Sequence, residues 1–221
     1  MPDPSPFWER PEQVERFSVR EPDQRLLELL SCYTVPAETR VLDLGCAGGR
    51  NTVVVAERGF DFYALDTSRA MVERTRERVA ASVGSEEAER RVTIGAMEDL
   101  SRFRTEWFDL VVSLGLYHNA TCREQWNGAL AETARVLKTG GLVLVANFTP
   151  RTDPKGEGVK PVPGEAHVYG GFDAGPVFLL EADELDAEMA LHGLQPVVPS
   201  KTLEIPTETG CRVTVNALYG K

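Results

Sequence analysis

Two short segments of the chain contain the residues best suited to cofactor chemistry. Residues 41–51 read VLDLGCAGGRN, in which an apolar run contains Asp43 and then gives way to small residues. The second segment, FDFYALD, ends at Asp66. An acid at the end of each of two successive apolar runs, with a small-residue turn after the first, is typical of a nucleotide-cofactor site.

The first segment does not match the glycine pattern GxGxxG that binds a dinucleotide pyrophosphate. Counted from Gly45, the second and third glycines are replaced by Ala47 and Arg50. Asp43 would repel a phosphate, but it would attract a cation such as the ammonium or sulfonium group of S-adenosylmethionine. Gly45 and Gly49 would let the backbone pass close to an uncharged part of that ligand.

Asp66 is predicted to accept the ribose hydroxyls of an adenosine. NAD and S-adenosylmethionine both contain an adenosine, so Asp66 does not distinguish between them. A capping residue ahead of the segment TSRAM is the alternative role. The choice of cofactor therefore depends on the first segment.

Composition limits the classes of partner. The 221-residue chain has a net charge of −10 and no lysine or arginine run, so we expect neither nucleic acid nor an anionic membrane as partner. The start MPDPSPFWERPE is not a signal-peptide pattern. The four cysteines stand singly, without the partners of a metal site. These features predict a cytoplasmic, metal-free protein, either a monomer or a homodimer.

Strand-like and helix-like segments alternate over residues 38–148. RVLDL, FDFYALD, VTIG and WFDLVVSLG alternate with the helices NTVVVAERG, SRAMVERTRERVAASVG and CREQWNGALAETARVLK, and a turn TGG precedes LVLVANF. Ser68 is the predicted N-cap of the second of these helices, and Gly84 its end. An earlier helix, PDQRLLELLSCY, would begin at Pro22. This alternation predicts a Rossmann-like three-layer α/β/α sandwich with a mostly parallel, seven-stranded sheet.

The remaining segments complete a single predicted domain, 1–221. Residues 1–35, of which the first are expected to be loose, form an N-terminal helical cap on the cofactor-binding core. Residues 149–177 are rich in proline, glycine and charge, and too long for an ordinary connection, so they predict a substrate loop or lid. Residues 178–221 predict a helix followed by an antiparallel pair of strands, KTLEIP and CRVTVNALY.

These motifs, in this order, resemble those of class I S-adenosylmethionine-dependent methyltransferases. The segments that match are VLDLGCAGGRN, the acid of YALD, GAMEDL, FDLVVS and LKTGGLVLVANF. GRNT followed by ERGFDFYALDTS is most similar to the tellurite-resistance-type small-molecule methyltransferases in that superfamily. The resemblance covers about residues 38–150 and continues more weakly through 179–218.

The resemblance implies a cofactor role for each of these motifs. Asp43 and the loop would line the methionine part, Asp66 would bind the ribose, and Thr67 would lie beside the adenine. The remaining cofactor-binding residues that it implies are Arg20 for the carboxylate, Gly45, Cys46, Ala47 and Gly49 in the loop, Ala96, Met97 and Glu98 at the adenine edge, and Ser113 and Leu114 under the sulfonium and its methyl group.

Two residues depart from the family pattern. Ala47 replaces the middle glycine of the loop, which is unfavourable only if its φ is positive. Ala96 stands where many relatives have an aspartate that accepts the adenine N6 hydrogens. Recognition of N6 then passes to Glu98, Asp99, water or the backbone, and we expect a weaker or rearranged adenine contact.

The predicted reaction is an in-line transfer of a methyl group from the sulfonium to a small-molecule acceptor. The catalytic candidates lie in SLGLYHNA, after the fourth predicted strand. His118 would titrate near neutral pH as a base, and Tyr117 would orient the acceptor or shelter the sulfonium. Alternatively, both residues only shape the pocket or begin the next helix. The positive groups of residues 149–177 would bind an anionic acceptor, unless they are simply solvated.

Two other functions remain open from the sequence. A non-catalytic protein that binds S-adenosylmethionine or S-adenosylhomocysteine would have the same motifs. A nicotinamide-dependent oxidoreductase is disfavoured by Asp43 and by the mismatch to GxGxxG.

Overall fold

The computed structural model of the protein describes residues 6–221, so the first five residues of the predicted cap lie outside the described range. The α-helices are α1 (Pro11–Ser18), α2 (Gln24–Leu30), α3 (Arg50–Glu57), α4 (Arg69–Val83), α5 (Ser85–Arg91), α6 (Arg123–Val136) and α7 (Ala182–Leu191). The strands are β1 (Arg40–Leu44), β2 (Asp61–Asp66), β3 (Val92–Ile94), β4 (Phe108–Leu114), β5 (Leu137–Phe148), β6 (Lys160–Pro161), β7 (Val168–Gly170), β8 (Val177–Phe178), β9 (Gln195–Pro196), β10 (Lys201–Pro206) and β11 (Cys211–Gly220).

The chain forms two compact units, of which the first comprises Met1–Ala96, described from residue 6, and Trp107–Val112. Its strands run β4-β1-β2-β3 and are all parallel. The side chains of β1 are buried after its first residue, as expected for a strand covered on both faces. In the register of β1 and β2, Leu44 lies beside Leu65, so both strands end at the same edge. That edge is where an open parallel sheet binds its ligands.

The second unit comprises Met97–Glu106 and Ser113–Lys221. Its strands β10, β11 and β5 lie side by side, and β11 is antiparallel to both neighbours. The last two residues of β4 belong to this unit, and the next residue, Gly115, donates its backbone N–H to Ala146 O of β5. A separate three-stranded antiparallel sheet is formed by β6, β7 and β8.

The predicted fold class is confirmed, because a mostly parallel sheet with an antiparallel strand is flanked by helices. Local signals predicted several element ends correctly. The Ser68 hydroxyl accepts the Met71 N–H at the start of α4, which ends before Gly84. That the chain forms one domain stays a prediction. In the described range, no helix is both long and apolar enough to cross a membrane.

Some expected boundaries were wrong. The N-terminal residues include α1, which begins at Pro11. The helix α2 begins at Gln24 and not at Pro22, and its N-cap is Asp23, whose carboxylate accepts the Arg25 N–H. The TGG segment lies within β5 and is not a separate turn. The large sheet has eight strands, not seven, because the two-residue β9 pairs with β11. The predicted lid segment contains β6 and β7, and its role as a lid stays a prediction.

Candidate cofactor and acceptor sites

Asp43 is a buried acid near the end of β1. Its Oδ2 accepts a hydrogen bond from Thr52 Oγ1 of α3 at 2.6 Å. Burial raises the pKa of Asp43 to about 6, although the Thr52 hydrogen bond and the Arg50 charge oppose the rise. Asp43 is therefore mostly ionised at neutral pH, at a cost in desolvation that a nearby cation would offset.

The loop after β1 is held by hydrogen bonds to β2. The backbone N–H groups of Gly45 and Cys46 both donate to Leu65 O, at 2.9 and 3.0 Å. Ala47 donates its N–H to Asp66 Oδ2 at 2.9 Å and accepts the Thr75 hydroxyl at its carbonyl. These contacts fix the backbone of the loop before any ligand binds.

Ala47 lies in the left-handed region, with φ of +46°. The condition under which alanine is unfavourable there is therefore met, and the strain costs about 1 kcal/mol. The cysteine beside it is buried, and burial raises the pKa of the Cys46 thiol well above its usual value. Cys46 is thus a neutral packing residue, and both its N–H and its C=O are used in hydrogen bonds within the first unit.

The two glycines that follow are required by packing. A Cβ at Gly48 would overlap Ser18 at the end of α1, and a Cβ at Gly49 would lie 2.9 Å from Thr75 Oγ1. Gly49 also has φ of +81°, and it precedes the first residue of α3. The first unit therefore covers the loop with α1, an element that the sequence did not predict.

Arg20 lies two residues after Ser18, the last residue of α1, which contacts the loop at Gly48. Its guanidinium stacks over the Phe17 ring, 4.2 Å from the centroid. The backbone around it is tied to the start of α3, because Asp23 N–H donates to Asn51 Oδ1 and Arg50 donates to Glu21 O. A role for Arg20 at the cofactor carboxylate stays a prediction.

Asp66 accepts two backbone N–H groups, while the N-cap of α4 is Ser68. The ribose role of Asp66 stays a prediction. Its Oδ1 accepts the Ser68 N–H at 2.9 Å, and its Oδ2 accepts the Ala47 N–H. Burial raises the pKa of Asp66, while these backbone donors oppose the rise. Each carboxylate oxygen can accept a further hydrogen bond, so the local contacts leave capacity for ribose hydroxyls. The neighbouring Thr67 is exposed.

The segment GAMEDL offers one acid with an unpartnered oxygen. Ala96 is half-buried in the first unit, and Met97 is buried in the second. Glu98 Oε1 accepts the Gln125 amide at 2.9 Å, whereas its buried Oε2 accepts no hydrogen bond from any described residue. Asp99 is exposed and accepts the Ser101 N–H. Which of Glu98, Asp99, water or the backbone contacts the adenine stays a prediction.

The end of β4 lies in the second unit and is largely buried. Ser113 is fully buried, and Leu114 is half-buried. The Tyr117 hydroxyl shares a 2.7 Å hydrogen bond with Thr133 of α6. Burial raises the pKa of Tyr117 to about 12, so this phenol stays protonated at neutral pH.

The expectation that His118 titrates near neutral pH is wrong. Burial lowers the pKa of His118 to about 3, so the imidazole is neutral under physiological conditions. Its Nδ1 accepts the Phe148 N–H at 3.3 Å, and its ring stacks on the Phe148 ring at 4.2 Å. Its catalytic role, like that of Tyr117, stays a prediction, but neither side chain is a strong base.

Sequence reasoning missed the residues that support these groups. Thr52 and Thr75 lie in helices, and their only signal was a small polar residue on a helix face that packs inward. Asn147, near the end of β5, was missed because the strand reads as a continuous apolar run before it. The predicted absence of a metal is untested, although no His, Cys, Asp and Glu cluster suited to a metal occurs in residues 6–221.

Comparison with known protein families gives a match for part of the chain. Residues 41–141 match a methyltransferase domain. The matched range contains Asp43, the glycine loop and Asp66, and it extends to the candidates after β4. This match supports the predicted superfamily, whereas the likeness to the tellurite-resistance type stays a prediction.

Three solved structures show the same fold at low sequence identity. A S-adenosylmethionine-dependent methyltransferase from Methanosarcina mazei has a TM-score of 0.67 and 17% identity, over 87% of this chain and 96% of that chain. The 1,6-didemethyltoxoflavin-N1-methyltransferase of Burkholderia thailandensis, with its substrate and S-adenosylhomocysteine bound, has a TM-score of 0.61 and 19% identity, over 89% and 76%. The [4+2]-cyclase SpnF has a TM-score of 0.60 and 16% identity, over 89% and 80%.

Proposed function

We propose that the protein is an S-adenosylmethionine-dependent methyltransferase that acts on a small-molecule acceptor. The observation that supports this most directly is Asp43, a buried and ionisable acid at the end of β1 within the segment that matches a methyltransferase domain. The bound S-adenosylhomocysteine of the Burkholderia structure supports the choice of cofactor.

The residues of the first unit fit this cofactor chemically. Asp43 suits the cationic ammonium group, because a cation close to a buried carboxylate offsets its desolvation. Asp66 has acceptor capacity for the ribose hydroxyls. A pyrophosphate fits poorly, since the Asp43 carboxylate after β1 would repel it. When bound, S-adenosylmethionine would supply a methyl group activated by its sulfonium, leaving S-adenosylhomocysteine.

The proposal gives the chain a positioning role more than an acid–base role. Tyr117 stays protonated at neutral pH, and the lowered pKa of His118, about 3, makes its neutral imidazole a weak base, so neither is poised to remove a proton from the acceptor. Catalysis would then depend mainly on aligning the acceptor atom with the methyl carbon. An acceptor that is nucleophilic without prior deprotonation is favoured by this arrangement.

Several predicted roles remain part of the proposal. They concern residues that the resemblance, and no contact in the structure, assigns to the cofactor: Arg20, Gly45, Cys46, Gly49, Thr67, Ala96, Met97, Glu98, Ser113 and Leu114. The cytoplasmic location and the monomeric or homodimeric state are likewise proposals.

A non-catalytic cofactor-binding protein is the alternative to an enzyme. The [4+2]-cyclase among the structures of similar fold has a name that specifies a reaction other than methyl transfer, so the fold by itself does not assign the chemistry. The alternative would have the same acids and the same loop. Only turnover distinguishes the two.

The test combines cofactor binding with turnover. Calorimetry with S-adenosylhomocysteine should show binding to the wild-type protein, and weaker binding to Asp43→Asn and Asp66→Asn. Asp183→Asn, at an exposed position, is the matched control. Mass spectrometry should then find an acceptor that gains one methyl group. Tight NADH binding without S-adenosylhomocysteine binding would overturn the proposal, and binding without turnover would favour the non-catalytic alternative.

A further inference from the structure

The strand β10 is an exposed edge of the large sheet. It pairs with β11 on one side, and no strand within residues 6–221 pairs with it on the other. All residues of β10, Lys201–Pro206, are exposed, including Leu203 at 49% and Ile205 at 46%. An edge strand of this kind presents a row of unpaired backbone N–H and C=O groups, to which a further strand can bind.

Two residues of β10 direct their backbone groups toward the free edge. Thr207 N–H donates to Gly210 O at 2.9 Å, so these two residues form a hydrogen-bonded pair at the closed end of the hairpin. Their pairing continues the register of β10 and β11. Hydrogen-bonded and non-hydrogen-bonded pairs alternate along an antiparallel ladder. Leu203 therefore bonds to β11, whereas Thr202 and Glu204 direct their N–H and C=O groups away from it.

Prolines limit the open part of this edge to the middle of the strand. Pro199 precedes β10 and Pro206 ends it, and neither has a backbone N–H to donate to a further strand. The outward N–H groups of Thr202 and Glu204 lie between these prolines, at equal distances along the chain from Leu203. A partner strand that uses both residues is therefore centred on Leu203.

A second copy of the same strand matches this arrangement. With a two-fold axis at Leu203, Thr202 of each copy lies opposite Glu204 of the other, and each such pair exchanges two backbone hydrogen bonds. The two Leu203 side chains meet on the axis, and Ile205 lies against the aliphatic part of Lys201 of the other copy. Like charges do not face each other in this register, whereas an axis at Glu204 would place two carboxylates opposite each other.

We propose that the protein forms a two-fold symmetric dimer in which two copies of β10 pair edge to edge around Leu203. The strands β11 and β10 of both copies then form one continuous antiparallel sheet. The axis uses the edge of each copy once, so the assembly stops at two chains. This inference goes beyond the proposed function and does not depend on it.

The size and charge of this interface determine how the dimer behaves. A pair of six-residue strands is small against the roughly 1,200–2,000 Å² that a standard interface buries. Each chain also has a net charge of −10, so the two copies repel each other at a distance. The dimer is therefore reversible, and it forms more readily at high salt, which screens the repulsion.

Sedimentation across a range of protein concentrations provides the first test. Wild type should show a monomer–dimer equilibrium that shifts toward the dimer at high salt. Leu203→Lys places two ammonium groups opposite each other on the axis, and it should raise the dissociation constant about tenfold or more. Leu191→Lys, at an apolar position outside β10 that is 79% exposed, is the matched control and should behave as wild type.

A mixture of two variants sharpens this test. Leu203→Lys and Leu203→Glu should each be monomeric alone, and together they should form a heterodimer, because opposite charges then meet on the axis. A wild-type protein that is monomeric throughout overturns the proposal, as do species larger than a dimer. Equal dimerisation of folded Leu203→Lys and wild type also overturns it.

Disulfide trapping tests the register of the two strands. Leu203 lies opposite itself as a non-hydrogen-bonded pair, whose Cα atoms are about 4.5 Å apart, a distance that a disulfide spans. Leu203→Cys should therefore form an intermolecular disulfide in a Cys32→Ser background, which removes the exposed native thiol. Ile205→Cys faces Lys201 of the other copy and should stay reduced. Cross-linking of both variants to the same extent, or of neither, overturns the proposed pairing.

Discussion

The backbone N–H of Ala47 donates to the Asp66 carboxylate at 2.9 Å, and this hydrogen bond joins the loop after β1 to the end of β2. The same alanine has φ of +46°, a conformation that favours glycine. The loop after β1 therefore holds Ala47 in a backbone conformation that an alanine side chain disfavours. Both the strain and the hydrogen bond have measurable consequences.

Replacing Ala47 with glycine should stabilise the protein by about 0.5 kcal/mol. Relief of about 1 kcal/mol of left-handed strain is partly offset by the greater unfolded-state freedom of glycine. Urea unfolding of the ligand-free protein measures the change. Gly49→Ala should instead lower the stability of the protein, because Gly49 has φ of +81° and the added Cβ would crowd Thr75. Loss of stability in Ala47→Gly would mean that the alanine methyl makes contacts worth more than the strain.

Asp43→Asn should stabilise the ligand-free protein at neutral pH. The pKa of Asp43 is about 6, against an ordinary value of 3.8, so its ionised form is less stable in the fold than its neutral form. The stabilisation should reach up to about 3 kcal/mol, since asparagine stays neutral at every pH. A variant that is less stable than wild type at pH 8 would contradict this account of the buried acid.

The pH dependence of the free energy of unfolding should also report the ionisation of Asp43. A raised acid pKa stabilises the fold below the unfolded value, and this contribution is lost as pH rises through the folded value. Between pH 5.5 and 8, wild type should therefore lose roughly 1 kcal/mol relative to Asp43→Asn. Urea unfolding of both proteins at the two pH values isolates the contribution of Asp43 from that of other titrating groups.

Cofactor affinity should respond to pH in the opposite sense. Attraction of the ammonium group requires ionised Asp43, which becomes protonated below its pKa of about 6. S-adenosylhomocysteine should therefore bind about fourfold more weakly at pH 5.5 than at pH 7.5. Calorimetry on Asp43→Asn should show weaker binding at both values and little dependence on pH. Equal pH dependence in wild type and variant would assign the titration to another group.

Features that depend on nearby residues were predictable from the sequence, and features that depend on distant partners were not. The Ser68 hydroxyl caps α4 by accepting the N–H of Met71, three residues later. The sequence signal for this cap therefore lies within one helical turn. The strand β9 is two residues long and exists only through pairing with β11, which no local pattern encodes. Likewise, Asp43 was recognisable by its place after an apolar run, but its pKa depends on its burial.

Asp66→Ala should weaken S-adenosylhomocysteine binding by tenfold or more, because the ribose acceptor is removed. It should also destabilise the protein by about 1–3 kcal/mol, since the N–H groups of Ala47 and Ser68 lose their acceptor. Asp66→Asn keeps one acceptor oxygen and should lie between wild type and alanine in both measurements. Calorimetry and urea unfolding separate the two effects. Unchanged affinity in folded Asp66→Ala would exclude the ribose role.

The pH–rate profile of methyl transfer should lack an ionisation from His118. An imidazole with pKa of about 3 stays neutral throughout the range in which the protein is assayed, so it contributes no limb near its usual value of 6.5. His118→Asn should consequently change the size of kcat/KM without changing the shape of the profile. Tyr117→Phe is the matched comparison, and it should lose about 1 kcal/mol of stability with its hydrogen bond to Thr133. A limb near pH 6.5 that vanishes in His118→Asn would show that the bound complex exposes the imidazole and raises its pKa.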